Sequence, residues 1–488
     1  MNKLEKISVV GGGTAGFVSA LILKIRFPHM KIEVVRSTKI GTIGVGEGST
    51  EHWNEFMSYI GVSYQECIRA CDATFKAGIM FKGWSKDDYM HSTSPDLEKK
   101  NGESLFIYNK VIGENLPKQF LNPAGNWDNK IFVKDTQQTW PPFNQYHFNT
   151  QKLNDFLTNI ALARGIDVID DEIKDIVFND QGEIVDLIGE NGHYASDFYI
   201  DCTGMRRVLI SKMGAKWQSY SQWLKVKSAI VFPLPEEEEL KMYTTAQAMD
   251  YGWMFNIPVW GRSGNGYIFD SDYITAEQAK QEVEEFLGRE ITVGKQIDFD
   301  PGALDRVWIK NCCACGLSAS FVEPLEATSI GSSIRQIFLL MHRLPNYDEQ
   351  TIETYNKAAT DILTNIRDFV ILHYLTDKTN TPFWKDVSNI ELPDTLQTLL
   401  QRWKKNLPMT DDFSYQTMYT MFKAGNFSQI LYGLDFFDTD LIKREWDMMN
   451  PEIKRYGEHV FNFIHNKHNN EPMYTHREFI GMIRRGEH

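Results

Sequence analysis

Lys6-Ile-Ser-Val-Val10, then Gly11-Gly-Gly-Thr-Ala-Gly16, an apolar periodic run to Ile25, and Lys31-Ile-Glu-Val-Val35 read as strand, tight turn, helix and strand. This is the opening βαβ unit of a dinucleotide-binding fold. Gly11, Gly13 and Gly16 fit G-x-G-x-x-G, where the first glycine allows the turn, the second lets a pyrophosphate approach, and the third packs helix on strand. The letters alone are weak, but between two strands at the amino end they specify the ligand class.

The particular dinucleotide follows less directly. An acid at the end of the second strand usually binds the adenosine ribose, and here that position holds Arg36, which suits the 2′-phosphate of an NADP as well. Two later segments favour FAD: the glycine strap Gly41-Thr-Ile-Gly44-Val-Gly46-Glu-Gly48, and Phe198-Tyr-Ile-Asp-Cys-Thr-Gly204, a strand ending in a small-residue turn. The sequence has one complete G-x-G-x-x-G, so a separate NAD(P)H site is not visible.

The chain has 488 residues, beyond one ordinary core, and its length predicts roughly two to four compact units. Its 42% hydrophobic content supports large cores, and a formal net charge of -14 opposes nucleic-acid binding, which draws on clustered Lys and Arg. The start, Met1 to Val10, runs into a strand and glycine turn, unlike a cleavable signal, and no apolar stretch is long enough to span a bilayer. A cytoplasmic protein is expected. Six cysteines are too few for a disulfide scaffold; Cys312 and Cys315 lie in what reads as a buried strand, and neither a second C-x-x-C nor zinc spacing completes a metal site.

Residues 51–145 read as a mixed insertion rich in Trp, Lys and Asp, with Ser92 to Glu103 as an exposed loop. From Tyr146 the core resumes, with a helix to about Arg164 and strands Glu172 to Phe178 and Glu183 to Gly189 joined by Asn179-Asp-Gln-Gly182. Beyond 333 the pattern turns helical and aromatic. The expected organisation is an α/β flavin core of residues 1–50 and 146–333, the insertion 51–145, and a mainly helical cap over 334–488.

Two charged residues stand out. In Thr74 to Phe81, residues Phe75, Ala77, Ile79 and Phe81 alternate with the others, so Lys76 points away from an apolar row, into water or a pocket. A solvated surface lysine explains that pattern equally well. Glu326 follows Pro324, where a strand should give way to a helix, and helix capping accounts for an acid there. The same geometry presents free backbone N–H groups at Thr328 and Ser329, a ready anion site.

Gly-Gly-Gly-Thr-Ala-Gly at 11–16, Gly-Val-Gly-Glu at 44–47, Ala-Thr-Phe-Lys at 73–76, Ile-Asp-Cys-Thr-Gly at 200–204, Gly-Trp-x-x-x-Ile-Pro at 252–258, Glu-Pro-Leu-Glu-Ala-Thr at 323–328, and Ile-Arg-Asp-Phe at 366–369 with Thr-Pro-Phe-Trp at 381–384 occur in this order. Across nearly its whole length the chain therefore resembles the flavin-dependent halogenases of the tryptophan-halogenase family. The resemblance implies an FAD-binding, Rossmann-like core of the flavin-monooxygenase type with a helical substrate-side cap. It places FAD against Gly11, Gly13, Thr14, Ala15, Gly16, Arg36, Gly44, Gly46, Ile173, Leu317 and Ile330. It also implies reduced FAD supplied by a separate flavin reductase, a halide ion held near Thr328 and Ser329, and hypohalous acid passing through a tunnel to Lys76. Lys76 hydrogen-bonds that oxidant or becomes a haloamine, while Glu326 positions the halogen and stabilises positive charge on a small aromatic substrate. Trp253, Phe255, Ile257 and Pro258 form the barrier that keeps substrate from the flavin, with Phe255 where the family has a second Trp.

Three departures bear on function. Arg36 replaces the ribose-binding acid, which fits weaker FAD retention. Ser329 stands where the family has Gly; if it needs positive φ the strain costs on the order of 1 kcal/mol, and a relaxed halide preference toward bromide or iodide follows. Around Ser104-Leu-Phe-Ile-Tyr-Asn109 no histidine is available to sandwich an indole, which favours an electron-rich phenol, indole or other heteroarene over free tryptophan. The competing readings are a flavin monooxygenase on the same fold and a flavin-binding module without turnover. The aromatics of the cap permit a homo-oligomer without requiring one.

Overall fold

The computed structural model describes residues 4–41, 47–92, 125–126, 129–138, 141–413 and 420–488. The opening strand Lys6–Val10 lies inside a six-stranded sheet, in the order Asp167–Asp170, Lys31–Arg36, Lys6–Val10, Phe198–Asp201, Cys312–Ala314, Trp308–Ile309. Every pairing is parallel until the last, Trp308–Ile309 on Cys312–Ala314, which is antiparallel. Helix Thr14–Arg26 buries eight consecutive residues, Gly16 to Leu23. It is apolar all round because it is packed between helices Thr150–Ala163 and Thr328–Arg343 as well as the sheet. The expected hairpin forms from Ile173–Phe178 and Ile184–Gly189, with the Asn179 side-chain oxygen accepting from the Gln181 and Glu183 N–H groups at the turn.

A second, seven-stranded sheet runs Lys295–Asp298, Ser228–Pro235, Arg262–Phe269, Gly252–Val259, Tyr243–Met249, Gly78–Lys82, Tyr89–Ser92. Its pairings are antiparallel except that of Tyr243–Met249 with Gly78–Lys82. Strands from the 51–145 stretch thus share a sheet with residues 228–298.

Thr74 to Phe81 is not one strand with one apolar face. Thr74–Lys76 pairs with Gln145–Phe148 in a small three-stranded sheet, while Gly78–Lys82 belongs to the large one. The chain crosses between them at Ala77, whose N–H donates to the Met242 carbonyl. Both rows are therefore covered, and Lys76 is as buried as Phe75.

Beyond Thr328 the chain is mainly helical, led by Thr328–Arg343 and Glu349–Leu372. Thr381 caps the short helix Pro382–Val387 through the Trp384 N–H, and the Trp384 indole N–H donates to the Met249 carbonyl at 2.7 Å, tying this region to the large sheet. One strand near the carboxyl end, Met473–Thr475, pairs antiparallel with Lys130–Phe132. Cys312, Cys313 and Cys315 are fully buried, and all six cysteines are free. Among the described residues no helix is long and apolar enough to cross a membrane, and no cluster of His, Cys, Asp and Glu has metal-binding geometry.

Candidate active site

The glycine turn has the shape a pyrophosphate needs. Gly11 has φ +117°, and a Cβ there would lie 2.1 Å from the Cys202 carbonyl oxygen. A Cβ on Gly16 would lie 1.9 Å from the Gly11 oxygen, whereas Gly13 faces open space. Gly13 is also the N-cap of helix Thr14–Arg26 and supplies no side-chain cap, so the first N–H groups of the helix, at Thr14 and Ala15, have no capping side chain. Arg36 lies across the loop: a Cβ on Gly12 would meet its Cδ at 2.5 Å, its guanidinium stands 5.7 Å from the Phe17 ring, and Nη1 donates to Thr158 Oγ1 at 3.2 Å. Its Nε is buried with no hydrogen-bond partner. An uncapped helix start, an open glycine and an unpaired guanidinium N–H together fit an FAD diphosphate and ribose.

Leu317 sits in the turn Gly316–Ser318, which abuts the helix start: a Cβ on Gly316 would be 2.6 Å from the Ala15 Cβ. Ile173 begins the strand that follows Asp171, whose N–H bonds the Arg36 carbonyl. Ile330 is buried in the first turn of Thr328–Arg343. Gly44 and Gly46, like Ser104 to Asn109, lie outside the described residues.

Lys76 is 2% exposed and Glu326 3%, and both line a cavity of about 150 Å³ with His91, Gln145, Phe422 and Asn426. Glu51, on the same wall, keeps a half-exposed side chain. The Lys76 Nζ donates to the Ser49 carbonyl at 3.0 Å. Burial pulls the amine down to about 8, with the Glu326 and Glu51 charges opposing that fall.

Glu326 does not cap a helix. It ends a single tight turn, Pro324–Glu326; Ala327 follows at φ +53°, and the helix starts only at Thr328. The carboxylate is instead gripped by two histidines, with His373 Nε2 2.8 Å from Oε1 and His91 Nδ1 2.8 Å from Oε2. Burial alone would raise this acid, but interaction with His91 and the hydrogen bonds from both imidazoles outweigh it and hold the group at about 2. Sequence reasoning missed both histidines. The available signal for His373 was its position one helical turn after Phe369 of the Ile-Arg-Asp-Phe motif; His91 offered none beyond its place in a short alternating run.

A separate chamber of about 20 Å³ is lined by Thr328, Ser329, Ser332, Tyr220, Phe321 and Ile366. That space holds about one water-sized particle. Thr328 is buried and Ser329 exposed, and the helix they begin carries no side-chain cap. The positive φ sits at Ala327, not Ser329, which has ordinary helical geometry, so no strain arises from serine there. The two chambers have no lining residue in common among those described.

Trp253, Phe255 and Ile257 share one face of strand Gly252–Val259 and are buried, as is Pro258. The Trp253 ring lies 6.2 Å from Phe255 and 6.4 Å from Trp84. The Pro258 carbonyl accepts from Thr74 Oγ1 at 2.7 Å, which couples this aromatic wall to the strand carrying Lys76.

The pattern of the tryptophan halogenase family matches residues 6–446. The chain is 30% identical over 453 residues to the tryptophan 6-halogenase SttH of Streptomyces toxytricini, covering 84% of this chain and 85% of that protein. Over 457 residues it is 27% identical to the tryptophan 7-halogenase RebH of Lentzea aerocolonigenes, covering 84% of each. The solved tryptophan halogenase from Shewanella frigidimarina superposes with a TM-score of 0.89 at 26% identity, covering 99% of this chain and 98% of that one. A flavin-dependent halogenase from Xanthomonas campestris gives 0.85 at 27% identity, covering 99% of both. With the family's pattern spanning the core, the cavity and most of the helical region, this chain belongs to the tryptophan halogenase family of flavin-dependent oxidoreductases.

Proposed function

We propose that the protein uses FADH2 from a separate flavin reductase, dioxygen and a halide ion to halogenate a small electron-rich phenol, indole or related heteroarene. The observation that carries this reading is the amine of Lys76 buried in one cavity with the Glu326 carboxylate. When bound, the reduced flavin supplies the oxidation of halide by dioxygen to hypohalous acid. The uncapped N–H groups at Thr328 and Ser329 hold the halide, and the Trp253, Phe255, Ile257 and Pro258 wall keeps the organic substrate away from the cofactor. Lys76 captures the oxidant in the cavity it shares with Glu326, and Glu326 supplies the negative charge that stabilises the developing ring cation. The decisive assay incubates the protein with reduced FAD, oxygen, bromide and a panel of phenols and indoles. Product whose mass shifts with the halide supports the reading; oxygenated product independent of halide identity identifies a hydroxylase instead.

Two expectations follow at the site. An amine held near 8 is poised to react as free base, so the halogen-transfer rate should rise with pH through about 8 as Lys76 loses its proton. In single-turnover measurements Lys76→Arg should lack that rise; a wild-type rate that falls through the same range would assign Lys76 a hydrogen-bonding ammonium role. At the halide chamber the Ser329 hydroxyl adds a polar group, without backbone strain, and the proposed preference is bromide or iodide over chloride. Competition between chloride and bromide at equal concentration should give mainly brominated product, and a strong chloride preference would refute this.

A further inference from the structure

The hydrogen bonds around Glu326 have a fixed direction that assigns His91 a role. At one end, His373 Nδ1 lies 2.8 Å from the Phe369 carbonyl, near the end of helix Glu349–Leu372. A carbonyl only accepts, so Nδ1 carries a hydrogen. At the other end, the backbone N–H of Lys423 donates to Asn426 Oδ1 at 2.9 Å, which turns the Asn426 amide nitrogen toward His91 Nε2 at 3.1 Å. That nitrogen only donates, so Nε2 of His91 holds a lone pair and its hydrogen sits on Nδ1, directed at Glu326 Oε2. One proton then remains to be placed, on the line between Glu326 Oε1 and His373 Nε2.

The result is a carboxylate that orients one imidazole and leaves a lone pair on its far nitrogen, where Asn426 donates, in a residue that lines the cavity also holding Lys76. A carboxylate behind an imidazole fixes its tautomer and stabilises the imidazolium that forms when the far nitrogen takes a proton. Aromatic halogenation requires such an acceptor, because the ring carbon that gains halogen must lose hydrogen. We propose that His91 Nε2, oriented by Glu326, removes the ring proton in the halogenation step.

This step rests on the halogenase reading, and its atoms and electrons balance. A ring π pair forms the C–X bond as the O–X bond of hypohalous acid breaks, its electron pair leaving as hydroxide. The C–H bond then breaks, its pair restores the aromatic sextet, and the proton passes to Nε2, where the weak hydrogen bond from the neutral Asn426 amide gives way. Proton and hydroxide leave as water. If a Lys76 haloamine delivers the halogen, it forms from the free amine and hypohalous acid with loss of water. On transfer the N–X pair stays on the lysine nitrogen, which takes up a proton equivalent to the one the ring passes to His91 and so becomes the amine again.

The test is single-turnover bromination with ring-perdeuterated and unlabelled phenol or indole, whichever the wild-type protein brominates. Wild type should show no primary isotope effect. In His91→Gln, which retains an N–H group for Glu326 but has no basic nitrogen, bromination should slow by about 10²-fold, with a normal primary isotope effect appearing because C–H cleavage now limits the rate. Oxidation of reduced FAD should continue, and His91→Asn serves the same comparison should the glutamine variant fail to bind FAD. A variant that brominates at the wild-type rate, or one slowed without an isotope effect, overturns the role of His91. Wild-type protein that gives no halide-dependent product with any substrate overturns the halogenase reading and this step with it.

Discussion

Replacing Lys76 with methionine is expected to abolish halogenation, to below about a thousandth of the wild-type rate, the scale on which a single catalytic group acts, while oxidation of reduced FAD continues. Methionine fills nearly the same volume, so the cavity keeps its shape and the loss isolates the amine. The same variant should be more stable than wild type at neutral pH. The folded protein holds the amine at about 8 against an ordinary 10.5, a gap corresponding to roughly 3 kcal/mol, because burial strips water from the charge. With a folded value below the unfolded one, that cost is fully present below about pH 8. It fades between pH 8 and 10.5 as the unfolded chain also loses its proton. Thermal melting of wild type and Lys76→Met across this range checks the claim, and curves that stay parallel would contradict it. A residue that is costly to bury and necessary for product is the signature expected of a catalytic group.

The two halves of the protein differ in how far their sequence discloses them. Lys6 to Val35 is legible because every contact that defines it is local: period-two strands, a glycine turn and a helical run. The break at Ala77 is not legible, because alternation continues through it unchanged and the cause is a distant partner, the Met242 carbonyl. Pro324 reads as a helix start from its fixed φ, yet a tight turn and the left-handed Ala327 intervene, so the first-turn N–H groups fall at Thr328 rather than at the proline. That offset also moves the conformationally demanding position from Ser329 to Ala327. Lys76 and Glu326 stand out only because they sit in recurring motifs; periodicity left both with ordinary explanations. The histidines that grip Glu326 lie 235 and 47 residues from it, and no local pattern in a single sequence reports a hydrogen bond across such separations.

Glu326→Gln and Glu326→Leu should separate the charge of this residue from its hydrogen bonds. Glutamine can satisfy the whole local network: its oxygen accepts from His91 Nδ1, and its amide donates to His373 Nε2 once that imidazole gives up the shared proton. The variant should therefore fold and bind FAD normally while its halogenation rate falls by about 10²-fold or more, since neither the ring cation nor a protonated His91 retains a counter-charge. Leucine leaves two buried imidazole nitrogens facing hydrocarbon, at about 1–3 kcal/mol for each group left unpaired, and a marked drop in melting temperature is expected. Acid titration distinguishes wild type from Glu326→Gln in a further way. The folded protein holds the Glu326 carboxyl at about 2, below its ordinary 4.5. The stability this confers is complete above about pH 4.5 and is lost as pH falls toward 2, roughly 3 kcal/mol in all. Glu326→Gln has no proton to gain, so its acid unfolding should be shallower over that window. Coincident acid curves for the two proteins would mean that the imidazoles do not stabilise a carboxylate, and would remove the counter-charge on which both the Lys76 chemistry and the His91 proton transfer depend.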